Sequence, residues 1–233
     1  MLFEGPSDSR LRHEWKHRIT PGDKARLIAR LSMLCKSDPH YGDAPYHIRS
    51  LYFDNVYDMA LRERLDGKKN REKFRIRYYN GDSSYIVLEK KSKFGQLCGK
   101  ASCRVTKAEV ERLLRGDDSW LLEKGKPLCE EFYKKRRTQL LEPKVIVDYT
   151  RRAFVYEPGN TRITLDYDIR TGLNSLDFFN PDLVTVPADM TNPIILEVKY
   201  DEYFPEVIRD AVRLENRRTS SFSKYTACRL TNY

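Results

Sequence analysis

The chain is poor in the residues that carry redox or metal-cluster chemistry, and it has no stretch built for a bilayer. Among its 233 residues are five cysteines and four histidines. Cys35, Cys98, Cys103, Cys129 and Cys228 are odd in number and form no Cys-x-x-Cys pair. Neither a zinc cluster nor a full disulfide framework is indicated, and reduced thiols in a cytoplasmic protein are the simplest account. No run approaches the roughly 18 consecutive apolar residues of a membrane helix. Residues 1–10 lack the basic and apolar regions of a signal peptide. The Gly-x-x-x-x-Gly-Lys-Ser/Thr loop and the dinucleotide glycine pattern are both missing, so phosphates would not be held in either of those ways. Repeats, low-complexity segments and linkers are absent too. These absences lead us to expect a cytoplasmic chain of one domain over residues 1–233, with no membrane span.

Charge and aromatic side chains are abundant. Charged residues make up 33% and aromatics 12%, too many aromatics for a disordered chain. Lys and Arg number 43 against 34 Asp and Glu, a net charge of +9. That excess favours an anionic partner: nucleic acid, nucleotide, phosphate polymer or an acidic membrane surface. Charge alone does not choose among them.

Strands are expected at 12–19, 46–53, 73–79, 85–91, 144–156, 161–169 and 193–200. Asn80-Gly81 joins the third and fourth as a tight hairpin, because both residues tolerate positive φ. Glu157-Pro158-Gly159-Asn160 turns between the strands at 144–156 and 161–169. Thr20-Pro21 opens a helix in which Leu27, Ile28, Leu31 and Leu34 should face the core. A short helix over 56–65 should end at Asp66-Gly67. A Gly-containing loop is expected at 93–100, then a short strand through Val105. Thr106 and Glu109 form a capping box for a helix closed by Gly116. A basic helix over 127–140 carries Lys134, Lys135, Arg136 and Arg137, and a final helix over 205–217 should bury Val207, Ala211, Val212 and Leu214. Strands paired in hairpins with helices between or after them define an antiparallel α+β fold.

The strands share one habit. Side chains alternate across a strand, and here the charges keep to one face. Lys73, Arg75 and Arg77 oppose Phe74, Ile76 and Tyr78; Glu89 and Lys91 oppose Ile86 and Leu88. Arg162, Thr164, Asp166 and Asp168 oppose Ile163, Leu165 and Tyr167; Glu197 and Lys199 oppose Leu196 and Val198. Glu-x-Lys recurs at Glu14/Lys16, Glu89/Lys91 and Glu197/Lys199. Such a face is either the solvated side of an ordinary antiparallel sheet or, if the strands close into a barrel, the lining of a charged interior. The wealth of Arg, with both signs two residues apart, favours the closed form.

Within that form, Lys16, Arg49, Arg75, Arg77, Lys91, Arg162 and Lys199 would crowd one space and repel one another unless an anion filled it. Arg forks match phosphate oxygens in pairs. Glu14, Glu89, Asp166, Asp168 and Glu197 would either hold these cations in ion pairs or bind Mg2+ or Mn2+, hard ions that keep phosphates in their shell. His13 and His17 fall on the other face of their strand. Ser223 beside Lys224 is better read as a helix end than as a nucleophile. The basic run 134–137 is read as a solvated helix face, with docking to an anionic chain or membrane as its alternative. No motif supports sequence-specific nucleic-acid binding, and the aromatics read as buried.

Several segments together resemble a known family. Arg12-His-Glu-Trp-Lys16, Ile48-Arg-Ser-Leu-Tyr-Phe-Asp-Asn55, Phe74-Arg-Ile-Arg-Tyr78, Leu88-Glu-Lys-Lys91, Ile195-Leu-Glu-Val-Lys199 and Phe222-Ser-Lys-Tyr225 are similar to the VTC (vacuolar transporter chaperone) polyphosphate polymerase domain, a triphosphate tunnel metalloenzyme. The resemblance runs from about Arg12 to Tyr225. It implies an antiparallel closed β-barrel, a tunnel with helices packed around it. It also implies transfer of the γ-phosphate of ATP to a growing inorganic polyphosphate chain with Mn2+ or Mg2+. Carried over by position, the catalytic cations would be Lys16, Arg49, Arg75, Arg77, Lys91, Arg151, Arg162 and Lys224. Lys100, Lys199, Ser223, Glu14 and Glu89 would contact substrate, and Glu197 would bind the metal. A terminal phosphate oxygen would be the nucleophile, so no general base is required. Ser221 stands where fungal members commonly carry a cation. With no membrane segment or regulatory domain expected in the chain, polymer export would need a separate membrane partner.

Two other readings remain. Hydrolytic tunnel relatives typically carry Glu-x-Glu-x-Lys on the first strand, where this chain has Arg12-x-Glu14-x-Lys16, one carboxylate short. A non-catalytic polyphosphate-binding module would need the cations but not Glu197.

Overall fold

The computed structural model describes residues 11–39, 41–215 and 221–231. Its sheet has ten strands, β1 (Arg12–Ile19), β2 (Lys36–Ser37), β3 (Tyr46–Asp54), β4 (Asn70–Tyr79), β5 (Asp82–Phe94), β6 (Leu97–Val105), β7 (Glu142–Tyr156), β8 (Thr161–Thr171), β9 (Val186–Pro187) and β10 (Ile194–Tyr200). Eight of them run in the order β7-β3-β4-β5-β6-β1-β10-β8, and β8 pairs back onto β7 to close the ring. Every pairing around it is antiparallel. The two-residue strands β2 and β9 extend the sheet beside β7 and β8. The expected closed α+β barrel is what the chain forms, and closure removes the sheet edges that would otherwise stand open.

Among the described residues seven α-helices flank the barrel: α1 (Pro21–Leu34), α2 (Met59–Leu65), α3 (Lys107–Leu114), α4 (Trp120–Glu123), α5 (Pro127–Gln139), α6 (Glu206–Ala211) and α7 (Lys224–Leu230). Local chemistry sets several of their starts. Thr20 caps α1 in a reciprocal box with Asp23, and Thr106 caps α3 with Glu109. α2 begins at Met59 and not at Val56, because Asn55 Oδ1 accepts from the backbone of Tyr57 and Met59 and so holds that stretch in a turn. The Asp54 carboxylate then accepts from Ala60 and Leu61. Asn80 and Gly81 take φ of 51° and 72°, the left-handed pair that the hairpin requires.

Two apolar layers lie outside the barrel wall. Leu51, Phe53, Phe74, Ile76, Ile86 and Leu88 pack under α3, α4 and α5, with Phe132 at the centre. Leu27 and Leu31 of α1 and Ile208 of α6 cover Phe154, Ile163, Leu165, Leu196 and Val198. Complete burial of each such side chain stabilises the fold by about 1.5–3 kcal/mol. A third cluster joins Ile48, Tyr52, Val145, Val147 and Tyr149 on the lumen side to Tyr225 of α7.

Some expectations fail at the margins. Leu34 and Val207 are exposed; Ile208 and the expected Ala211 are the buried residues of α6, which ends at Ala211, with the expected Val212 buried just after it, while residues 216 and 217 lie outside the described residues. Strand structure replaces most of the loop expected over 93–100, since β5 runs to Phe94 and β6 starts at Leu97. The signal-peptide reading concerned residues 1–10, outside the described residues. Among the described residues no helix is long and apolar enough to cross a membrane.

Candidate anion-binding tunnel

Strand register decides which side chains enter the lumen. Tyr52 pairs with Arg75, Ser50 with Arg77, and Arg75 with Glu89, so these five share one face. The Arg75 guanidinium donates to Glu89 at 2.8 Å and to the Tyr52 hydroxyl at 2.8 Å. Arg77 donates to the Tyr149 hydroxyl at 2.8 Å and lies 3.5 Å from Glu89. Lys100, half in solvent, closes the group 3.5 Å from Glu89. Burial opposes ionisation of Glu89, but Arg77, Arg75, Lys100 and Lys91 overcome it and hold the carboxyl well below the usual range.

On the next wall β1 pairs with β10, placing Glu14 opposite Lys199 and Lys16 opposite Glu197. Lys16 Nζ lies 2.6 Å from Glu14 and 3.4 Å from Glu197; Lys199 Nζ lies 2.9 Å from Glu197 and 3.5 Å from Glu14. Burial alone would lower the Lys16 ammonium, yet Glu197 and Glu14 hold it above its ordinary value. Burial likewise works against the Glu197 carboxylate, which Lys16, Lys199, Lys91 and Lys224 keep ionised.

β7, β8 and α7 supply the third wall. Arg151 makes two bonds to Asp166, at 2.6 and 2.8 Å, and Lys224 Nζ reaches the same carboxylate. Arg162, nearer a mouth, binds Asp38 and lies 3.2 Å from the Tyr46 hydroxyl. The structure thus brings Lys16, Arg75, Arg77, Lys91, Arg151, Arg162 and Lys224 to one lumen, with Lys100, Lys199, Glu14, Glu89 and Glu197.

Arg49 is a correction. It pairs with Tyr78 and Asp148, on the wall face opposite Ser50 and Arg77. Its guanidinium binds Asp148 at 2.8 Å and the carbonyl oxygen of Asn180 at 2.5 Å, outside the barrel. Asp168 also leaves the lumen: the β7–β8 register shifts there, and Asp168 takes φ 49° and points to solvent beside Arg170. Lys100 stands on β6, not in a loop. Ser223 is the N-cap of α7, accepting from Thr226. Reasoning from sequence left Lys73 and Tyr149 out of the site, whereas Asp166, expected among the carboxylates of the charged face, holds Arg151 and Lys224. Lys73 shares the alternation of Arg75 and pairs with Lys91 across the hairpin, which was the available signal. Tyr149 carried none, since an uncharged residue looks like core.

The lumen carries unmet charge and unmet hydrogen bonds. Ten cations (the seven above with Lys73, Lys100 and Lys199) face Glu14, Asp38, Glu89, Asp166 and Glu197. Lys91 makes no ion pair among the described residues; burial, Arg75 and Lys199 push its ammonium well below the usual lysine value despite Glu197 and Glu14. Burial, Arg64 and Arg71 lower Lys73 to about 7. Among the described residues, Ser50 Oγ, Thr164 Oγ1 and Arg77 Nε are buried without a hydrogen-bond partner, the last with Glu89 at 3.5 Å but not hydrogen-bonded to it, and all three belong to lumen-facing residues. Buried polar atoms are normally satisfied, so a group of orphans marks a place for a ligand.

No set of three or more His, Cys, Asp or Glu poised for a metal occurs among the described residues. Glu197, with Glu14 beside it, nevertheless suits a hard cation that draws its remaining oxygen ligands from phosphates and water.

An eight-stranded antiparallel barrel whose lumen is lined by paired and unpaired cations defines the triphosphate-tunnel class of fold. The chain belongs to the VTC domain family, whose model it matches over residues 11–233. Its course is broadly similar to that of a proposed adenylate cyclase from Vibrio parahaemolyticus, at 12% identity over 92% of this chain and 97% of that one, TM-score 0.48. A proposed adenylate cyclase from Bacillus halodurans is 14% identical over 82% of this chain and 81% of that one, TM-score 0.46. No curated protein matches the sequence.

Proposed function

We propose that the protein is a polyphosphate polymerase that transfers the γ-phosphate of ATP to the end of an inorganic polyphosphate chain inside the tunnel. The observation that carries this reading is Lys91, an enclosed lysine crowded by Arg75 and Lys199 and with no ion pair among the described residues, together with the orphaned Ser50, Thr164 and Arg77 atoms. A run of phosphates would satisfy all of them at once.

Phosphoryl transfer requires mainly positioning and charge neutralisation. Arg75 and Arg77, held by Glu89, would fix the triphosphate; Arg151 and Lys224, held by Asp166, would draw the acceptor's terminal phosphate alongside. That terminal oxygen, already ionised near neutral pH, forms the new bond to the γ-phosphorus as the bond to the β–γ bridging oxygen breaks, and ADP leaves. No protein base takes part. Mn2+ or Mg2+ at Glu197, when bound, supplies further neutralisation of phosphate charge.

Hydrolysis within the same tunnel would benefit from a second carboxylate beside Glu14. Arg12 stands two residues before it and is tied at the rim to Asp201 at 3.1 Å, which favours transfer over hydrolysis. Incubation with ATP and Mn2+, followed by a gel stained for polyphosphate beside a free-phosphate assay, should show polymer and ADP without matching orthophosphate, and Glu197→Gln should abolish turnover. Orthophosphate without polymer would replace the reading with a hydrolase. Full polymer synthesis by Glu197→Gln would remove the metal role.

A further inference from the structure

The two mouths of the tunnel are chemically unlike. At one, Lys73 lies over the ring of the buried Tyr225 of α7, the helix that also supplies Lys224, and α2 packs beside α7. The other, where β3 and β5 begin and β4 ends, is ringed by tyrosines. Tyr41 stacks on Tyr46 with ring centres 4.1 Å apart and meets Tyr79 at 5.3 Å; Tyr79 meets Tyr85 at 6.2 Å. Guanidinium groups lie over two of these rings, Arg104 over Tyr85 at 5.3 Å and Arg77 over Tyr79 at 5.6 Å. Tyr85 is 47% exposed, against the expectation that the aromatics are buried.

Condensed phosphate has no flat or apolar face, and a ring of tyrosines offers it little that the cations do not. A nucleobase has such a face, and stacking on an aromatic ring or a guanidinium is how proteins hold one. Tyr79 and Arg77 are two residues apart on one strand, about 7 Å. That separation leaves room for a ribose between a base at Tyr79 and Tyr85 and phosphates beginning at Arg77. We propose that the tyrosine-ringed mouth is the nucleoside subsite, in which Tyr85 backed by Arg104 stacks on the base of the nucleoside triphosphate. The inference rests on the tunnel's use of a nucleotide. It adds a direction: the nucleotide is oriented with its base at this mouth, and the acceptor chain reaches the γ-phosphate from the α2–α7 side.

The test compares binding of a non-hydrolysable ATP analogue with binding of inorganic tripolyphosphate by calorimetry. Tyr85→Ala should weaken the analogue about tenfold, the size of one modest stacking contact, and leave tripolyphosphate within twofold. Tyr85→Phe, which keeps the ring, should restore analogue affinity, and Arg104→Ala should fall between. Equal loss for both ligands, or no loss for either, overturns the subsite, as does wild-type protein that binds the two ligands equally well. A protein that makes no polymer yet prefers the analogue through Tyr85 would keep the subsite and lose the polymerase reading.

Discussion

Glu89 is the point at which the lumen's stability and its ligand meet. Its carboxylate accepts from Arg75 at 2.8 Å, lies 3.5 Å from Arg77 and from Lys100, and is 1% exposed. Glu89→Gln keeps the shape and removes the charge, leaving two buried guanidinium groups with the neutral hydroxyls of Tyr52, Tyr79 and Tyr149. Breaking a buried pair from one side costs about 3–5 kcal/mol. At roughly 2–4 °C per kcal/mol for a domain of this size, Tm should fall by roughly 6–20 °C. Inorganic tripolyphosphate supplies the missing negative charge, so it should stabilise the variant more than the wild type and narrow the gap. The wild-type carboxyl titrates below its unfolded value of about 4.3, so its contribution is fully present above that value and is lost as pH falls through the lowered folded value. The Tm difference should therefore stay constant between pH 6 and 8. Scanning calorimetry of both proteins, with and without tripolyphosphate, reads all of this. A fall of less than about 2 °C, or equal stabilisation of both proteins by tripolyphosphate, would refute the picture of a carboxylate holding the arginines ready for phosphate.

Arg49→Ala should behave differently, because its partner Asp148 lies outside the barrel: stability should drop by about 3–5 kcal/mol in thermal melts, while folded protein binds tripolyphosphate within twofold of the wild type. Lys73, with its ammonium lowered to about 7, gains charge as pH falls from 8 to 6. Calorimetric tripolyphosphate affinity should therefore rise over that interval more steeply in the wild type than in Lys73→Met; parallel slopes would remove Lys73 from the anion's surroundings.

The barrel was legible because its hairpins announce themselves. Asn80-Gly81 and the alternation of 73–79 against 85–91 leave little choice of register, and capping boxes mark α1 and α3. The lumen was legible wherever charge and lumen coincide, as on β1, β4, β5 and β10. They part company on β3. There the lumen receives Tyr46, Ile48, Ser50 and Tyr52, while Arg49 turns outward to meet Asp148 and backbone carbonyls near Asn180. An arginine satisfied by protein and one awaiting a ligand are identical in sequence; only the register of the partner strands separates them. Asp168 was misplaced because a register shift reverses the alternation, and no residue pattern announced it. Of helix α7 only the helix end at Ser223 was read, because seven residues carry too little periodicity to show the rest, yet it supplies Lys224 and Tyr225.

The most direct test of a phosphate-binding lumen is a crystal structure with inorganic tripolyphosphate. The account predicts phosphate oxygens within hydrogen-bond distance of Arg75, Arg77, Lys91 and Arg151, with Lys91 gaining the partner it lacks. Tripolyphosphate bound only on the outer surface, for instance along Lys134 and Arg137 of α5, with the lumen cations untouched, would contradict it.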